Sequence, residues 1–120
     1  MENDTENTKT APALTAASGS GAALIAAERQ RQMAVEGWTP EHDDQHSQAE
    51  MAKAAGDYLH EAFIRAKYGR RPFGTEPPHH WPWDAKWWKP SEDPIPNLVK
   101  AGALIAAEID RLQRLQNTED

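Results

Sequence analysis

Glu28 and Glu108 close two copies of one hexapeptide, ALIAAE, at residues 23–28 and 103–108. On a helical wheel each glutamate falls inside an apolar arc. Leu104, Leu112 and Leu115 flank Glu108, while Leu24, Ile25 and Val35 define the side that carries Glu28 and Gln32. A carboxylate facing a core must be paired, hydrogen-bonded or bound to a cation. Arg29, Arg31 and Arg111 are available as partners, so the pattern reads either as a buried Glu–Arg network or as a site where two helices meet. A second polar group lies in the connector TPEHDDQH, residues 39–46, with Glu41, His42, Asp43, Asp44 and His46. Two carboxylates and an imidazole this close can hold a divalent cation, accept ribose hydroxyls, or cap the helix that follows. If a metal is bound, Glu28, Asp43, Asp44 and Glu108 are its expected ligands. His79-His80 is a weak metal signal, because no third ligand stands at a recognisable spacing.

These residues need elements to position them. The expected architecture is all-α: a small three-helix domain with an irregular Trp/Pro-rich arm and a disordered N-terminal tail. Helices are expected over about 21–36, 48–68 and 97–115. Ser18 or Ser20 is placed to cap the first, and Gly37 to end it with Trp38 folding back behind. Thr39-Pro40 can start one short helical turn. Ser47 with Glu50 has capping-box spacing for the second long helix, which Gly69 ends. Its stripe, which includes Met51, Ala55, Tyr58, Leu59, Ala62 and Phe63, contains no charge. Residues 70–96 hold seven of the nine prolines and four of the five tryptophans. Such a segment is neither a long helix nor a central strand, yet it is too aromatic for a linker. An ordered arm laid across the helices is expected, with Trp81, Trp83, Trp87 and Trp88 as core plugs or as a stacking platform. The small residues before each repeated glutamate predict a close-packing seam between the first and third helices. That seam would bring Glu28 towards Glu108. It can equally pair two chains, which makes a homodimer an expectation to test.

Composition narrows the classes. The 120 residues build one domain over residues 21–120, with residues 1–20 read as a mobile tail. The tail lacks the basic start and apolar run of a signal peptide. No stretch approaches the roughly 20 apolar residues of a membrane span. The absence of cysteine excludes disulfides and thiolate chemistry and suits a cytoplasmic setting. A net charge of −6 argues against direct nucleic-acid binding. The one basic cluster, Arg65, Lys67, Arg70 and Arg71, sits at a helix end, where it suits the helix dipole.

Arg31, then EGWT at 36–39, then Asp43-Asp44 and His46 resemble the opening of the RyR-type domain. Bacterial relatives of that domain look like nucleotide-ligand sensors in defence systems, so the resemblance implies a small nucleotide-like ligand. The ordered chain, from ERQRQ through EGWTPEHDD to WPW, WWKP and LVKAGALIAAEIDR, is also similar to small phage and prophage proteins. More loosely, it resembles all-α nucleotide pyrophosphohydrolases of the MazG type, which place helical glutamates and an aspartate around Mg²⁺. The function expected from these readings is ligand binding rather than catalysis: a phage-type accessory protein that sequesters a host defence signal. A Mg²⁺-dependent pyrophosphohydrolase and an inhibitor that docks on a host protein are the alternatives. In the binding reading, Trp38 or an arm tryptophan such as Trp88 stacks on a base, at about 1–3 kcal/mol. Asp43, Asp44 or Glu108 accepts ribose hydroxyls, and Arg29, Arg31 or Lys89 meets phosphate. Glu28, Thr39 and His46 complete the expected ligand-binding set.

Overall fold

The first long helix begins where its cap predicts. The Ser20 hydroxyl accepts from the Ala23 amide at 3.1 Å, and α1 runs Gly21–Ala34. The computed structural model describes residues 19–69 and 76–119. Residues 1–18 of the expected tail at 1–20, the first part of the arm at 70–75 and the basic pair Arg70 and Arg71 lie outside the described residues. Within them all regular structure is helical: α1, α2 (Pro40–Asp43), α3 (Glu50–Tyr68), a 3-10 turn at Ala85–Trp87, and α4 (Pro94–Glu119). No described helix is long and apolar enough to cross a membrane.

Local chemistry explains each boundary. Past the end of α1 the backbone turns through Gly37 at φ +78°, a conformation costly for any residue with a Cβ, and the Trp38 amide returns to the Gln32 carbonyl. Thr39 then caps α2, its hydroxyl accepting from the His42 amide, with Pro40 at the first helical position. The Ser47 capping box does not form. Ala49 adopts a left-handed conformation at φ 64° ahead of α3, and the Glu50 carboxylate reaches back to the Gln48 amide instead. The helix therefore opens two residues later than expected. At the other end of the molecule α4 opens three residues earlier than expected, since prolines are tolerated in a first turn that has no amide partners to lose. The Asp93 carboxylate accepts from the Ile95 amide there, and fully buried Asn97 bonds the Ser91 amide and carbonyl, tying the arm to the helix start.

α4 is the spine, packed against α3, α1 and α2. Met51 shares a cavity wall with Leu104 and Ala107, whereas Tyr58 meets Lys100 one helical stretch earlier, so α3 and α4 run antiparallel. The expected close seam between α1 and α4 is present. A Cβ on Gly102 would come within 2.5 Å of the Ile25 side chain, so any larger residue here would force Ile25 to shift. Ala103 and Ala107 are buried beside it. The arm crosses one face of the α3–α4 pair. Trp88 is buried against Tyr58 and Trp81, and the Tyr58 hydroxyl accepts from the Lys89 amide at 3.0 Å. These rings supply the apolar burial that short Ala-rich helices lack.

Candidate functional site

Above the α3–α4 core, the arm, α2 and the end of α1 enclose a cavity of about 230 Å³. Its floor is Met51, Leu104 and Ala107, and its walls include Trp38, Trp83 and Trp87. Trp38 lies 6.1 Å from Trp83 and 6.2 Å from Trp87 between ring centroids. His42 stacks parallel to Trp38 within 7°, and His46 sits 5.3 Å from Trp83. Burial, reinforced by neighbouring His42, pushes the His46 imidazole below its ordinary pKa, so it is neutral near pH 7.

The polar residues on this wall are fixed from behind. Arg29 donates to Asp43 at 2.8 Å and to the Trp38 carbonyl, a buried pair that clamps α2 onto α1. Gln32 donates its amide N–H to the acceptor-only Glu28 carboxylate at 3.2 Å, which orients its oxygen the other way. Among the described residues four buried atoms of this cavity lining lack a hydrogen-bond partner: Gln32 Oε1, Arg29 Nε, Trp83 Nε1 and His42 Nδ1. His42 Nδ1 lies 3.5 Å from Asp43 Oδ1 without forming a hydrogen bond. Buried polar groups left unpaired cost roughly 1–3 kcal/mol each, so these atoms call for partners beyond the surrounding protein groups, an ordered water or a ligand.

A narrow cleft shares Gln32, Trp38, Trp83, Trp87 and Leu104 with the cavity and adds Arg31, Lys89 and Lys100. The Lys89 and Lys86 ammonium groups sit over Trp87 at 5.4 and 5.5 Å. Burial pushes Lys100 below its ordinary pKa, and its ammonium donates to the Lys89 carbonyl. Arg31 bridges Glu28 and Glu36 at 2.9 Å to each, contacts that raise its pKa further.

Comparison with family models, with curated proteins and with solved structures returns no match. The site must therefore be read from its own chemistry.

The sequence candidates divide by location. Trp38, Arg29, Asp43 and His46 converge on the cavity, while Glu28, Arg31 and Lys89 line the adjoining cleft. Thr39 caps α2. Trp88 is 8% exposed and belongs to the core cluster. Asp44 pairs with Arg114 at 2.6 Å on the surface, and Glu108 with Arg111 at 2.8 Å within the protein. The four carboxylates named as metal ligands thus each hold a different arginine: Glu28 with Arg31, Asp43 with Arg29, Asp44 with Arg114, Glu108 with Arg111. Among the described residues no group of three or more His, Asp or Glu is disposed to hold a metal ion. Register explains why the repeated glutamates occupy separate networks. Ile25 packs on Gly102, which puts residue 28 opposite residue 105, about one helical turn short of Glu108. Gln32 and Lys100 are site residues that sequence reasoning did not single out. Gln32 had a signal, since it stands one turn after Glu28 on the same inward side. Lys100 had none, because only the fold of the arm brings it to the cleft.

Proposed function

We propose that this protein binds a small nucleotide-like ligand stoichiometrically and without turnover. The observation that carries the reading is the set of unpartnered buried atoms on an aromatic cavity. Gln32 Oε1 can accept, and Arg29 Nε and Trp83 Nε1 can donate, once a ligand shifts the side chains that now cover them, and the surrounding rings offer faces for stacking. A flat heteroaromatic ring with donors and acceptors on its edge satisfies both demands together. At about 230 Å³ the cavity is smaller than the roughly 300–1,000 Å³ typical of sites that enclose a whole drug-sized ligand, so it takes one ring system and leaves the remainder outside. The remainder extends past the mouth of the adjoining cleft, where exposed Lys89 can meet phosphate. Sequestration of a host defence signal by a phage-type accessory protein is the biological role that such a binder would serve.

The arginine pairing of Glu28, Asp43, Asp44 and Glu108 argues against the Mg²⁺-dependent hydrolase, which requires carboxylates gathered on one cation. Mass spectrometry of small molecules released from the heat-denatured protein tests the reading, followed by calorimetry against linear and cyclic nucleotides with and without Mg²⁺. Recovery of an intact nucleotide, and loss of binding in Gln32→Leu, is expected. Product formation that requires Mg²⁺ would replace this reading with the hydrolase. No binding of any nucleotide at millimolar concentration would end it.

A further inference from the structure

Among the described residues, the face of the α3–α4 pair opposite the arm is largely uncovered and apolar. On α4, Leu98, Ile105, Ile109 and Leu112 are 46, 46, 50 and 41% exposed, and on α3 Leu59 and Phe63 are 50 and 51% exposed. Their spacing is regular. Positions 98, 102, 105, 109, 112 and 116 of α4 alternate steps of four and three and read Leu, Gly, Ile, Ile, Leu, Gln. Positions 52, 56, 59, 63 and 66 of α3 follow the same alternation and read Ala, Gly, Leu, Phe, Ala. This is the 3.5-residue period of seams that pack knobs into holes. From 98 to 116 on α4 and from 52 to 66 on α3 neither seam carries a charged residue, and the next position of the α4 seam is Glu119 at the helix end. At Gly102 the missing side chain is replaced by Ile25 from α1, which keeps the α4 seam apolar there.

We infer that this face binds a second copy of the chain, joining two α3–α4 pairs into a four-helix bundle. Two neighbouring antiparallel seams need two antiparallel seams opposite, and a two-fold rotation of the same pair supplies them. The uncharged seams offer nothing to a basic or acidic partner. The six large side chains leave roughly 500 Å² exposed, and the exposed residues Ala52, Gly56, Ala66 and Gln116 extend the face towards the about 800 Å² that each partner contributes to a stable interface of standard size. A patch of that extent stands at the upper end of what monomeric proteins leave to water, where such patches are often functional. The cavity lies on the other side of the layer, so each copy keeps its own cavity open.

Light scattering coupled to size exclusion at 100 µM should give about 27 kDa, twice the 13.4 kDa of one chain. Ile105→Glu combined with Ile109→Glu should yield a monomer with unchanged far-UV circular dichroism, the dimer dissociation constant rising at least 100-fold. The chain has no cysteine, so Ile105→Cys provides a second measurement that does not depend on charge insertion. It should cross-link between copies through a short bis-maleimide at least tenfold faster than Lys86→Cys on the arm side. A monomeric wild type at 100 µM, or a dimer that survives the double substitution, overturns the inference. Should the double variant lose its helical signal, the cross-linking decides: equal rates at positions 105 and 86 overturn the inference, and a tenfold excess at 105 upholds it.

Discussion

The two faces of the α3–α4 layer are made from the same two helices and solve burial in opposite ways. The face under the arm sets Ala54, Ala55, Ala101 and Ala107 around Met51, Tyr58 and Leu104, and takes further bulk from Trp81, Trp83 and Trp88 of the arm. It also carries the buried ions and the unpartnered polar atoms of the cavity. The opposite face holds large apolar side chains in regular order, and among the described residues they stay about half exposed although Ile25 of α1 reaches over Gly102. Apolar size alone therefore does not decide which side of a helix becomes the interior. The covering element decides, and here that element is irregular.

Truncating the covered side should break this contrast most strongly. Trp88→Ala removes the ring between Tyr58 and Trp81 and is expected to cost about 3–5 kcal/mol in urea unfolding. Phe63→Ala on the bare face should cost less than about 1 kcal/mol when measured below the concentration at which the protein dimerises. The ion pairs draw the same distinction. Arg111→Met strands the buried Glu108 carboxylate and should cost about 3 kcal/mol. Arg114→Met, whose partner Asp44 is half exposed, should cost under about 1 kcal/mol.

Smaller effects sharpen the description of the covered side. Trp38→Ala should weaken nucleotide binding by about 1–3 kcal/mol in calorimetry while leaving most of the helical signal intact. His46 is expected to make stability depend on pH. Its folded pKa lies below the ordinary 6.5, so the unfolded chain takes up a proton that the folded chain refuses. Stability should be complete above about pH 6.5 and decline as pH falls below it, and His46→Gln should flatten that slope. The smallest expected change is at Ala49, held at φ 64°. Ala49→Gly should raise stability by up to about 1 kcal/mol, because it relieves the left-handed strain at the start of α3.

Much of the fold was legible because it is encoded locally. Ser20, Thr39-Pro40 and Gly69 mark element ends through hydrogen bonds and backbone geometry that span only a few residues. The capping box at Ser47 misled, since the spacing alone does not report that Ala49 turns left-handed. The seam between the repeats was also legible, because small residues announce close approach, but its register was not. Gly102 and Ile25 set that register by shape, and it separates Glu28 from Glu108. The helical wheel puts the apolar residues around Glu108 in one arc, whereas the fold splits the apolar residues of α4 between two sides. Ala101 and Leu104 go inward, and Leu98, Ile105, Ile109 and Leu112 stay outside. Among the arm tryptophans, which one plugs the core and which ones frame a cavity depends on the path of an irregular segment, and no periodicity records that path.

The tryptophans have a consequence for observing the molecule as well as for holding it together. Trp88 meets Trp81 at 4.9 Å, Trp81 meets Trp83 at 5.5 Å, and Trp83 and Trp87 both meet Trp38, so all five indoles form one connected chain of ring contacts. At such separations light absorbed by any ring is shared among its neighbours before it is emitted. The core and the cavity are therefore optically one chromophore. A molecule that quenches the rings at the cavity end dims the entire emission, and the protein carries a built-in, label-free reporter of whatever occupies that space.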